Sequence, residues 1–250
     1  MSALKEKWLT VLYPHHCFLC DTVLLPEKRM CDDCFHRAPY VLPPVCERCG
    51  RGEDVCICGG HTHAFERCVS PFYHEDMVRD SILRLKQRYD TVVAEGFASE
   101  MAEVIRREYG GIAFDWVTSV PLHKKDRRAR GFAQAQGLAQ ALARRLGLPY
   151  VAALTKLTYT QPQKELTALR RRGNLLGVFD ITADVAGRTV LLVDDVITTG
   201  STLDECAKML KIYGAKAVYV LAVAVSENKK EQSDIEKLMK QKRREKTNDR

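Results

Sequence analysis

Val190-Leu191-Leu192-Val193-Asp194-Asp195-Val196-Ile197-Thr198-Thr199-Gly200-Ser201-Thr202 carries the most structural information in this chain. An apolar run meets two carboxylates, and a turn rich in Thr, Gly and Ser follows. A helical spacing then runs through Leu203, Cys206, Ala207 and Leu210. An unbroken apolar run is the mark of a strand covered on both faces, as in a parallel sheet. The turn and helix start after it form a phosphate cradle, because first-turn amides lack intrahelical partners. Thr198, Thr199, Ser201 and Thr202 add hydroxyl donors around Gly200. Asp194 and Asp195, just past Val193, stand where they can accept hydrogen bonds from ribose hydroxyls. The stretch fits a phosphorylated sugar.

Outward from it, β and α patterns alternate. Residues 69–73 read as a short strand, and 76–88 as an amphipathic helix with Met77, Ile82, Leu83 and Leu85 apolar. Residues 91–109 continue helical to the stop at Gly110-Gly111. A strand is expected over 115–120, a helix over 133–146 closed by Gly147, a strand over 151–157 and a helix over 165–172. Residues 188–193 are the buried strand, 201–213 its helix, and 216–225 is expected to close the sheet. In such doubly wound sheets, ligands bind at the carboxyl ends of the strands. This α/β domain is expected over 67–226. Residues 227–250, nearly all charged or polar, read as a frayed helix or disordered extension.

The 250 residues carry no apolar run long enough to span a bilayer. Met1 to Lys7 has no apolar core of a secretory signal. A soluble, cytoplasmic protein is the expectation. The formal net charge of +7 suits a polyanionic partner, nucleic acid or polyphosphate, without choosing between them.

Nine of the ten cysteines precede residue 70, mostly in close pairs, which in a reducing compartment reads as metal binding. Cys17-x-x-Cys20 and Cys31-x-x-Cys34 make a closed four-thiolate zinc site. Cys46-x-x-Cys49 starts a second. Its partners are Cys56 and Cys58 as first choice, with a three-cysteine site completed by His61 or His63 as the rival. His15, His16 and His36 read as surface or outer residues. Cys68 reads as a buried strand cysteine and Cys206 as a buried helix cysteine. A module this small, expected over 1–66, draws much of its folding energy from metal. Stripping zinc is therefore expected to unfold the residues before about 65 and spare the later domain.

The 190–202 stretch resembles the phosphoribosyl-pyrophosphate (PRPP) loop of type I phosphoribosyltransferases. The basic segment at the end of the preceding expected strand contains Pro121, Leu122, His123, Lys124, Arg127, Arg128 and Arg130. It would offset a pyrophosphate, arginine making bidentate contacts. Lys86 is a further candidate to reach a phosphate. A nucleic-acid patch or a solvated basic face is the other reading of the segment.

The whole chain to about Val225 resembles the ComF-type competence proteins. The resemblance rests on the cysteine pairs, Leu83-Arg84-Leu85-Lys86, Val120-Pro121-Leu122-His123, Arg130-Gly131-Phe132, Gln163, Arg172, Asn174, Gly177-Val178-Phe179 and the PRPP loop. Three features depart from the family pattern: Ala133 where Asn is usual, Cys56-x-Cys58 in place of Cys-x-x-Cys, and 156–160 in place of an Arg-x-Arg-x-Thr run. The resemblance implies a type I phosphoribosyltransferase-like fold, mostly parallel with flanking helices, behind a small zinc-ribbon module. It also implies PRPP binding with Mg²⁺ and a role in natural transformation, with single-stranded DNA and a helicase as partners. As an enzyme, Asp194 and Asp195 would orient the ribose hydroxyls while the cations offset the leaving pyrophosphate. The alternatives are a PRPP-responsive, non-catalytic DNA-binding protein and a scaffold.

Overall fold

The computed structural model describes residues 15–25, 27–56, 58–59, 62–88, 90–123, 132–157 and 178–226. Strands β1 (His15–His16) and β2 (Val23–Leu24) pair antiparallel, and helix α1 (Asp32–Arg37) follows. The Cys31 sulfur caps α1 by accepting the Cys34 amide. A second ribbon has a single 3-10 turn at Glu53–Val55. Next come β3 (Arg67–Val69), β4 (Phe72–Tyr73), α2 (Asp76–Gln87), α3 (Thr91–Glu108), β5 (Trp116–Ser119) and α4 (Gln134–Leu146). Last come β6 (Leu154–Lys156), β7 (Phe179–Ile181), β8 (Thr189–Ile197), α5 (Ser201–Ile212) and β9 (Ala217–Val225). Helix α3 starts where the Asp90 carboxylate accepts the Val92 and Val93 amides. Helix α4 ends on Gly147 at φ +66°, in the left-handed region.

The main sheet is parallel and runs β3-β9-β8-β5, with β4 also paired to β9. Strand β9 does not close the sheet as expected. It lies inside, between β8 and the β3/β4 segment, and its apolar sequence is buried on both faces. The strand expected over 69–73 is split in two, because Pro71 has no N–H to give the ladder. The strand expected over 188–193 runs on to Ile197, held by pairing of Val196 with Ala224 and Ile197 with Val225. Strand β6, inside the strand expected over 151–157, pairs antiparallel with β7, a strand that the sequence reading lacked, and the two form a separate ribbon. The helix expected over 165–172 lies outside the described residues.

Alternation along the strands sorts the core into two layers. Leu191, Val193, Leu221 and Val223 pack with Ile82 and Leu85 of α2, Phe97 and Met101 of α3, and Leu138 and Leu142 of α4. Val190, Leu192, Val218 and Val220 pack on the other face with Leu203, Cys206 and Leu210 of α5.

The zinc-ribbon segments share these layers. Phe18 stands edge-on to Phe97 with ring centroids 5.2 Å apart. It fits because α3 has glycine at 96, where a Cβ would overlap the Phe18 ring. The Ser81 hydroxyl and the Arg84 guanidinium of α2 both donate to the Phe18 carbonyl, at 2.5 and 2.6 Å. Val41 and Val45, from the start of the second ribbon, join the α5 layer. Because the first ribbon supplies a core side chain to α3, zinc loss is expected to weaken the α2–α3 layer as well as the region before 65. Phe18→Ala is expected to cost about 3–5 kcal/mol. Urea unfolding followed by helix signal and by zinc release should show both probes moving together in that variant.

Candidate phosphate edge and two zinc sites

Two groups of four cysteines bring their sulfurs within 4.8 Å of one another: Cys17, Cys20, Cys31 and Cys34, and Cys46, Cys49, Cys56 and Cys58. Sγ–Sγ separations include 3.7 Å for Cys20–Cys31, 3.8 Å for Cys46–Cys58 and 3.5 Å for Cys49–Cys56. A zinc tetrahedron with Zn–S bonds of about 2.3 Å has edges of about 3.8 Å, so the thiolates fit that ion. Backbone amides steady the sulfurs: Cys31 donates to Cys17 Sγ and Cys34 to Cys31 Sγ, both at 3.4 Å. With four protein ligands each, both sites are structural in type. His63 stands outside the second cluster. Its ring stacks on Phe65 at 4.6 Å, and its Nδ1 lies 3.6 Å from an Asp204 carboxylate oxygen. His61 lies outside the described residues. Cys68 and Cys206 are buried, as their apolar settings suggested.

The carboxyl ends of β8, β5, β9 and β4 meet at one edge. Asp194 and Asp195 are still on β8, two residues before its end. Chain alternation sends them to opposite faces. Asp195 turns to the α2 layer, where its carboxylate is 2.9 Å from Lys86 Nζ. Asp194, one residue earlier on the strand, turns the other way. Burial, then the Asp195 charge, pushes its carboxyl up to about 8, although the Asp195 amide and Lys86 pull the other way. The Asp194 carboxylate accepts that Asp195 amide at 2.8 Å. A carboxyl that titrates near neutrality can either donate to or accept from a sugar hydroxyl.

Past β8, Thr198 and Thr199 lead to Gly200, whose φ of +79° is left-handed and suits glycine. Gly200 is the N-cap of α5 and provides no side-chain cap. The Thr199 and Ser201 hydroxyls are 2.9 Å apart, and the Ser201 amide reaches Thr199 Oγ1 at 3.4 Å. The first-turn amides of α5, with the hydroxyls of Ser201 and Thr202, thus face a site with the right polarity for an anion.

Pro121, Leu122 and His123 follow β5, whose exit is tied to β8 by the Val120 amide donating to the Val193 carbonyl at 3.0 Å. A cavity of about 190 Å³ opens there, lined in part by Ser119, Pro121, Leu122, Tyr150, Leu154 and Thr155. Lys124, Arg127, Arg128 and Arg130 lie outside the described residues, as do Gln163, Arg172 and Asn174. The structure therefore brings Lys86 to the carboxylate pair and sets Pro121–His123 at the adjacent strand end.

Two residues of this edge, His74 and Arg51, escaped the sequence reading, and His63 was read only as a rival zinc ligand. His74, just past β4, donates its amide to the Val225 carbonyl at 2.8 Å. Burial, then Lys86, lowers its imidazole pKa, with Asp195 opposing. Its place between a strand end and a helix start was the available signal. Arg51 and His63 come from the second ribbon and reach the 198–204 region, a long-range approach that no local pattern encodes.

Residues 8–71 match the double zinc ribbon domain model, and 131–249 match the phosphoribosyl transferase domain model. The chain is 32% identical over 208 residues to the DNA utilization protein YhgH of Escherichia coli K12, covering 82% of this chain and 87% of that protein. It is 38% identical over 112 residues to Competence protein F of Haemophilus influenzae, covering 43% of this chain and 49% of that one. A crystal structure of adenine phosphoribosyltransferase covers 61% of this chain and 76% of its own, at 17% identity and a TM-score of 0.38. The chain is a double-zinc-ribbon protein with a phosphoribosyltransferase-type α/β sheet. It belongs to the ComF-type family, together with the DNA utilization protein YhgH and Competence protein F. Among the described residues, no helix is long and apolar enough to cross a membrane.

Two outcomes follow from this geometry. Metal analysis should give two zinc ions per chain, and one in Cys58→Ser, because only the second tetrahedron is broken. The raised Asp194 carboxyl keeps its proton in the folded chain between its ordinary value of 3.8 and about 8, where the unfolded chain has lost it. Its contribution to stability is therefore complete below that window and is lost as pH rises through about 8. Asp194→Asn should flatten this decline, as read from melting temperatures on either side of the window.

Proposed function

We propose that this edge binds PRPP with Mg²⁺ and that the protein acts in DNA utilization, the role carried in its relatives' names. One observation carries the reading: a carboxylate pair on β8 runs directly into a hydroxyl-rich, glycine-capped start of α5, with Lys86 on the pair. The 5′-phosphate takes the amides and hydroxyls of 198–202, and the ribose diol takes Asp194 and Asp195. The pyrophosphate lies toward Pro121, Leu122 and His123, with Lys124, Arg127, Arg128 and Arg130 as further cations. Mg²⁺ suits the oxygen-rich ligand and the two carboxylates, and supplies charge neutralisation for the pyrophosphate.

Transfer at this edge would break the bond from C1 to the pyrophosphate oxygen, with the electron pair leaving on pyrophosphate. A nitrogen nucleophile would form the new bond to C1 with its lone pair, and that nitrogen would then lose a proton to solvent. Lys86, released from Asp195 when the diol binds, is placed to meet the departing charge.

Calorimetric titration of Mg²⁺–PRPP is the test. The wild type should bind. Asp194→Ala/Asp195→Ala should lose binding, and Lys86→Ala should weaken it about tenfold, as for one lost charge-assisted contact. A folded, zinc-loaded wild type that takes up no PRPP would refute the ligand. For the DNA role, binding to single-stranded DNA should fall steeply as salt rises.

A further inference from the structure

Arg51 lies between the two halves of the second zinc site, two residues after Cys49 and five before Cys56. It is only 6% exposed. A buried guanidinium needs acceptors, and here they are on the sheet edge rather than in the ribbon. Its Nη2 donates to the Thr198 carbonyl and its Nε to the Ser226 carbonyl, both at 2.9 Å. Thr198 opens the phosphate loop after β8, and Ser226 is the first residue after β9. One side chain thus clamps the exits of the two central strands. Its backbone is held in turn by the ribbon, since the Arg51 carbonyl accepts the Cys46 amide at 2.8 Å. The next amide, Gly52, donates to the Tyr73 hydroxyl at 3.0 Å, adding the end of β4.

The far end of the same ribbon grips the loop again. The Ala64 amide donates to the Asp204 carboxylate at 2.6 Å, in the first turn of α5. The His63 ring lies against Gly200, with Cε1 3.7 Å from where a Cβ would stand.

We propose that Arg51 is a positioning residue through which the second zinc site sets the shape of the phosphate loop. Zinc holds the 46–58 turn, the turn holds Arg51, and Arg51 fixes the Thr198 carbonyl at the start of the cradle. Affinity for a sugar phosphate then depends on a metal that never touches it. This rests on the PRPP reading for its ligand, but the coupling itself can be read without one. Lysine cannot replace Arg51 fully, since one ammonium lacks the planar fork that serves two carbonyls at once.

The test is hydrogen exchange of peptides spanning 196–204 in ligand-free, zinc-loaded wild type, Arg51→Lys and Arg51→Met, with zinc content measured for each. Arg51→Met should keep two zinc ions and exchange about tenfold faster in that segment, with Arg51→Lys between. Peptides from α3 and α4 should not change, which separates a loop-specific role from general destabilisation. Mg²⁺–PRPP affinity should weaken by a similar factor. Unchanged exchange over 196–204 in a folded Arg51→Met would overturn the proposal. If Arg51→Met does not fold, Cys58→Ser stands in, and the same segment must loosen or the coupling is wrong. Faster loop exchange together with a wild type that binds no PRPP would remove the ligand and leave the coupling standing.

Discussion

Parallel pairing of β8 with β9 is the constraint on which the other elements depend. Eight Cα partnerships, from Thr189–Ala217 to Ile197–Val225, align two apolar strands with cover on both faces. Every other strand of the main sheet attaches to one of these two, and the helices divide between their faces. The alignment also sets the chemistry. It places the end of β8, the start of β5's loop and the ends of β4 and β9 in one row, where strand-end loops can converge on a ligand.

The ribbons sit in this plan as structural parts of the sheet domain. The first places Phe18 in the α2–α3 layer, opposite a helix position kept free of a side chain. The second lies along the strand exits, where Arg51 and Ala64 make half-buried polar contacts. Small metal modules bury little apolar surface of their own. Here each gains cover from the larger domain, and the larger domain takes core and edge contacts in exchange.

Much of this was legible from residues alone, for identifiable reasons. The buried strand, the carboxylate pair and the hydroxyl-rich turn are contiguous, so local pattern captures them. The cysteine pairs behave likewise, and the first choice of Cys46, Cys49, Cys56 and Cys58 matches the observed cluster. Lys86 was identified as a phosphate candidate, but its approach to Asp195 depends on how α2 packs over β8. The interior position of β9 was not readable, since an apolar strand reads the same wherever it pairs. Nothing in the local pattern singles out Arg51 on its cysteine loop, and His63 reads as a rival zinc ligand. Their partners lie more than a hundred residues away, and periodicity says nothing about such distances.

The central position of β9 has a consequence for how the chain is made. Strands β3 and β4 emerge early, yet their partner β9 is, among the described residues, the last strand to be synthesised. Until it arrives, β8 also lacks one neighbour, and two apolar strand edges stay open to wrong pairing. The ribbons need no such wait for their cysteines, which are close together in sequence. During synthesis the metal modules can mature first, while the sheet is completed from its middle by β9.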